Sequence, residues 1–326
     1  MSRRTTTIAA LTGLLVLLAA GGMMAGRVWT PFQNWFDPSD PRSAIILELR
    51  LPRTILGVAV GAALGMSGAA MQGYTRNPLA DPGALGVSSM GALGAVLTLY
   101  LGAGASAPWV IASASMLGAL IAVFLLLALS GQASSIVTFV LAGVILQTVA
   151  GAGVALALSL APNPWAVNEI VNWLMGSLAD RSLDDVRLAL PFMVAGMAIL
   201  LTTARGLDAL TLGETGARSL GVDMTRMRWA LALGVALTAG ASVAVTGVIG
   251  FVGLIVPHLL RPLVGARPGG LLIPSAIGGA VLVLAADIAV RLTPAAAGEV
   301  KLGVAMAVLG GPFFFALLLS LRRRIA

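Results

Sequence analysis

Apolar runs of about 20 residues, each long enough to cross a bilayer as a helix, follow one another along this chain with short polar breaks between them. They predict ten spans. The first covers residues 8–24, the second begins just after Arg53, and the third ends near Leu101. The others fall at 109–129, 135–158, 188–204, 229–245, 246–268, 271–290 and 302–321. The eighth, TGVIGFVGLIVPHLLRPLVGARP, is unlike a lipid-facing helix. Gly247, Gly250 and Gly253 stand three apart, which predicts one close-packing helix face. Pro257 removes a backbone donor, so the carbonyl it frees needs a partner from a neighbouring helix or from water.

The second span carries Gly57, Gly61, Gly65 and Gly68 at three- and four-residue steps, a small-residue stripe for tight packing. RNPLADPGALGVS then breaks the helix and restarts it. Trp29, Trp35 and Phe36 in the loop 27–43 suit a membrane interface. Gln147, followed by Gly151, lies inside the fifth span, where an amide faces the bundle or a water-filled path. Residues 160–185 are amphipathic and predict a short surface helix, with Trp165 and Trp173 read as sharing one face. Between spans six and seven, 204–229 is the most polar internal stretch.

Composition agrees with this layout. The chain is 58% hydrophobic and only 10% charged, whereas a soluble domain carries about 25% charge. The basic start followed by an apolar run has the outline of a signal peptide. A retained first span is expected instead, because the rest of the chain is itself membrane-embedded. Net charge is +7, but it reports topology rather than nucleic acid. With both termini inside, most basic residues, among them Arg3, Arg4, Arg205, Arg218, Arg226 and Arg322 to Arg324, fall on the cytoplasmic side, as the positive-inside rule requires.

Catalytic chemistry is not evident. There is no cysteine and a single histidine, His258. The one lysine, Lys301, lacks the glycine pattern of a phosphate loop, and LSGQ at 129–132 has no nucleotide-binding context. No metal-ligand spacing occurs, so the chain is expected to be no enzyme and to bind no cofactor. Most charges sit at span ends; Asp287 is the nearest to an exception, and it stands four residues before Arg291, within pairing distance on a helix.

Several stretches carry a resemblance. GFVGLIVPHLLR (250–261), the long run 49–96, WLMGSL (173–178), LGETGARSLGV (212–222) and PSAIGGAVLVLAADIAVR (274–291) together resemble the FecCD family, the permease subunits of type II ABC importers. The resemblance covers nearly the whole chain. It implies an all-α polytopic fold of about ten transmembrane helices in two related halves, of which GAALGMSGAAMQ (61–72) and LTAGASVAVTGVIG (237–250) are a faint echo, forming one domain over 1–326. It implies a second copy of the chain as partner, with the path at the interface beside Gln147 and Gly151. Two ATPase subunits, using ATP and magnesium, would dock on 206–226 through Leu212, Gly213, Glu214, Ala217, Arg218, Leu220 and Gly221. A periplasmic binding protein would meet Arg50, Arg53 and Arg291. The location implied is the bacterial inner membrane. Implied cargo is a ferric siderophore or haem, with cobalamin close behind. One departure is Lys301, which stands where the family usually has a proline and leaves the local turn and any role of Glu299 open. The competing class is an ATP-independent secondary transporter, for which Asp287 would be the coupling residue.

Overall fold

A computed structural model describes residues 3–26, 28–37, 39–102, 108–131, 135–293 and 300–325. Arg27, Gln132, Glu299 and most of the GAGASAP turn lie outside the described residues. Among those described, every regular element is helical. α1 (Arg3–Met24) is the first span. α2 (Arg42–Ala44) leads through a wide π turn, Ile45–Arg50, into α3 (Leu51–Thr75). Next come α4 (Val87–Tyr100), α5 (Pro108–Ser130), α6 (Ile136–Ser159), α7 (Pro164–Leu174) and α8 (Leu183–Thr202). A polar connection holds α9 (Ala204–Ala209) and α10 (Gly213–Ser219). The chain ends with α11 (Met224–Val235), α12 (Ala241–Thr246), α13 (Val252–Val264), α14 (Pro268–Arg291) and α15 (Leu302–Ile325).

Among the described residues, seven helices are long and apolar enough to cross a membrane, and three shorter apolar helices, in α4, α13 and α15, stand where the other three expected spans fall. One order of elements occurs twice. A long span, a break, a short helix and two long helices run from α3 to α6, and again from α11 to α15. Both short helices follow a left-handed residue, Gly86 (φ 72°) before α4 and Phe251 (φ 68°) before α13. This places the two breaks at corresponding points of two related halves.

The core is a seam between α3 and α14. A Cβ at Gly61 would meet the backbone of Gly279 and Ala280, and one at Gly65 would meet the Ser275 carbonyl. Gly68 faces Gly253 of α13 in the same way, and Gly57 lies under Leu284. The glycine stripe thus acts as predicted: it lets backbones approach where lipid offers no hydrophobic drive to pull helices together.

Two boundaries and one helix face differ from the sequence reading. The second span starts at Arg42 rather than after Arg53. In the π turn the Leu51 N–H donates to the Ile46 carbonyl, and the wide turn falls just ahead of Pro52, which brings no backbone N–H to the ladder. The eighth span is not helical through its glycines: 247–251 is open, with Gly247 at φ 70° closing α12. Gly247, Gly250 and Gly253 therefore share no helix face; their spacing imitated one. Trp165 is 77% exposed, whereas Trp173 packs with Ile170 against Val96 and Leu99. Eight residues advance a helix by about 80° past whole turns, so the two indoles diverge.

Pro257 behaves as expected, and its partner is now named. The Gly253 carbonyl it frees accepts from Gln72 Nε2 at 3.2 Å, which also reaches the Leu254 carbonyl at 3.2 Å. Arg261 Nη2 donates to the other end of that amide at 3.0 Å. Pro274 in α14 repeats the device: the carbonyl four residues back, on Gly270, accepts from Arg4 Nη2 at 3.2 Å. Gln72→Leu is expected to cost about 1–3 kcal/mol, because Gly253 keeps a buried, unpaired carbonyl. The same change in a Pro257→Ala background should cost less, since an alanine at that position supplies the backbone N–H that proline lacks. A thermal-unfolding double-mutant cycle in detergent reads this coupling.

Candidate functional site

Polar chemistry gathers at the two ends of the bundle and along one exposed helix. At one end, α1 finishes, α3 begins and α14 finishes. Asp287 of α14 is fully buried. Arg53 reaches it with Nη2 at 2.8 Å and Nε at 3.0 Å. Arg291 pairs with its other oxygen through Nη2 and donates Nη1 to the Gly22 carbonyl at 2.7 Å. Arg50 donates to the carbonyls of Met23 (3.0 Å), Met24 (3.1 Å) and Val28, closing the end of α1. These arginines, with Gly26, Leu49 and Asp180, line an open cavity of about 320 Å³. The three predicted arginines are thus brought together, each already bonded within the chain. The expected Asp287–Arg291 pairing is present, and Arg53 joins it.

At the opposite end lies the polar connection. Leu207, Leu210 and Ala217 are buried beneath it, while Leu212 (69% exposed) and Leu220 (64%) project outward beside the exposed Arg218. Gly213 (φ 87°) and Gly221 (φ 82°) bracket α10. Glu214 turns inward: its Oε1 accepts from the Ile136 N–H at 3.1 Å, the first residue of α6. Asp208 does the same for α14, accepting from the Gly269 N–H at 2.8 Å. A carboxylate at a helix N-terminus satisfies an orphan donor and opposes the helix dipole. Asp223 caps α11, where chiefly the Arg226 N–H holds its carboxyl below the usual carboxylate range. That support is present above the unfolded-state pKa and is lost as pH falls through the lower folded value. The next span begins at Met224, so the tail of the predicted 206–226 segment is already its first turn.

Gln147 and Gly151 lie on α6, both exposed, and Gly151 has open space where a side chain would stand. His258 stacks edge-on against Phe313 of α15 at 5.9 Å between ring centres. Lys301 precedes α15 and its carbonyl accepts from the Ala305 N–H at 3.1 Å, so the helix starts there without a proline. No cluster of potential metal ligands occurs among the described residues. Sequence reasoning missed Asp208, Gln72, Arg261 and Arg4. Only Asp208 had a signal: α14 opens on Arg-Pro-Gly-Gly with no capping side chain of its own, so a cap had to come from elsewhere.

The fold closely matches a metal-chelate type ABC transporter seen in an inward-facing conformation, with a TM-score of 0.87 and 31% identity over 97% of this chain and 99% of that one. The class is therefore a polytopic membrane transport permease. Residues 12–320 match the FecCD transport family, and the chain belongs to it. The cobalamin import system permease BtuC of Halobacterium salinarum is 38% identical, over 97% of this chain and 88% of that protein. The hemin transport system permease HmuU of Yersinia pestis is also 38% identical, over 95% and 94%. The vitamin B12 import system permease BtuC of Vibrio cholerae is 38% identical, over 93% and 91%.

Proposed function

We propose that this permease, as a pair of identical copies, carries a metal chelate of the cobalamin or haem type inward under the power of two separate ATPase subunits. What carries the reading is near-full-length similarity at 38% identity to permeases named for cobalamin and for hemin import. Those relatives move cobalamin ahead of its place in the sequence reading and leave ferric siderophores as the third candidate. In this arrangement α6 meets the second copy and Gln147 and Gly151 border the path. The arginine-lined end faces a substrate-binding protein outside the inner membrane, whose acidic side chains suit guanidinium groups. Both termini and the polar connection then face the cytoplasm, as the distribution of arginines supports.

The secondary-transporter alternative loses its residue. Asp287 sits near the end of α14, fully buried, with its charge balanced by two guanidinium groups, which suits a structural ion pair better than ion coupling. Cargo is tested with the complex reconstituted in liposomes with its ATPase and a substrate-binding protein, by ATP-dependent uptake of cyanocobalamin, hemin and a ferric siderophore in parallel. Uptake of cyanocobalamin or hemin supports the reading; uptake of the siderophore alone overturns the cargo.

Docking of the ATPase on 206–226 gives a second expectation. Leu212→Glu with Leu220→Glu should leave permease stability within about 0.5 kcal/mol, as for other exposed positions. Co-purification of the ATPase should fall about tenfold or more, the size expected for losing apolar anchors at an interface.

A further inference from the structure

Resting on the docking of an ATPase at 206–226, we propose that Glu214 and Asp208 are the two positioning residues through which that segment moves the bundle, Glu214 as the moving link and Asp208 as the fixed one. The segment has two faces. Leu212, Arg218 and Leu220 point away from the bundle, while both carboxylates point into it. Each reaches the first backbone N–H groups of a spanning helix far off in sequence, Ile136 of α6 and Gly269 of α14. A charged acceptor on a helix N-terminus is a directional, short-range tie. A displacement of α10, which carries Glu214, is therefore passed to the end of α6 without an intervening flexible loop, while Asp208 ties α9 to α14.

The two ties act on helices with different places in the bundle. α14 is held against α3 along the glycine seam, whereas α6 carries Gln147 and Gly151 on the exposed face assigned above to the second copy. Glu214 thus pulls on the helix that borders the path. Asp208 holds the segment to the helix of the seam. The sequence separation of these partners, 78 residues for Glu214 and 61 for Asp208, hides both ties from motif reading.

The chain has no cysteine, so a single Leu156→Cys at the exposed far end of α6 can carry a spin label. In the complex with its ATPase, the label-to-label distance between the two permease copies is measured with and without ATP and vanadate. In the otherwise unchanged chain the distance shifts on nucleotide binding. Glu214→Ala is expected to abolish that shift. Ile136→Pro removes the donor instead of the acceptor, at a helix position that tolerates proline, and should abolish the shift as well. Glu214→Gln, which keeps an acceptor oxygen, should restore part of it, and Asp208→Ala should lower thermal stability more than Glu214→Ala does. A shift that persists in both Glu214→Ala and Ile136→Pro overturns the proposal. Loss of ATPase co-purification in Glu214→Ala also overturns it, because the carboxylate would then belong to the docking surface. The docking premise fails separately, if Leu212→Glu with Leu220→Glu still retains the ATPase.

Discussion

Gly65→Val should leave almost no folded permease. The added side chain has nowhere to go: its Cβ alone would overlap the Ser275 carbonyl, and the next small residue across the seam, Gly279, already touches Gly61. Backbone rather than a flexible side chain blocks the space, so α3 and α14 have to part along their length. Overpacking a well-packed core typically costs about 1–3 kcal/mol. Here the upper end or more is expected, because the seam joins the two halves and every close approach along it is lost together. Gly13→Ala in α1 is the control, since nothing lies within 4 Å of that position. It should be neutral or gain up to about 1 kcal/mol from helix propensity. Monodisperse yield in detergent and thermal unfolding separate the two.

Asp287→Asn is the second large effect, with an expected loss of about 3–5 kcal/mol. The carboxylate is fully buried and is the shared partner of Arg53 and Arg291. An amide leaves two largely buried guanidinium groups facing each other without a counter-charge. Removing Arg291 together with Asp287 should recover part of the loss, since the remaining Arg53 is the more exposed of the two guanidinium side chains. Thermal unfolding of the two single variants and the double variant gives the coupling directly. A cost for Asp287→Asn no larger than that of an exposed substitution would show that the cluster does not hold this end of the bundle.

Local pattern carried much of this fold. The glycine steps in 57–68 predicted a close seam because small residues at helical spacing have one use in lipid, and Asp287 and Arg291 were readable as a pair from their spacing alone. The proline in α13 announced a freed carbonyl, but not that Gln72, 181 residues away, would satisfy Gly253. Pairings across the bundle leave no trace in one sequence. The glycines at 247, 250 and 253 misled for a physical reason: a three-residue step fits a helix face, yet Gly247 was needed for its left-handed turn. At the coupling end, LGETGARSLGV marked the segment, while the inward turn of Glu214 emerged only from the placement of α6. The arginines were legible as a group at one end; that Arg50 and Arg53 already have partners inside the chain was not.

ATP dependence of uptake is the most direct test. The permease, reconstituted with and without its ATPase, is given cyanocobalamin or hemin with a binding protein outside. Uptake should require the ATPase and ATP, and imposed proton or sodium gradients should not replace them. Uptake by the permease alone under an ion gradient, without ATP, would contradict the importer account.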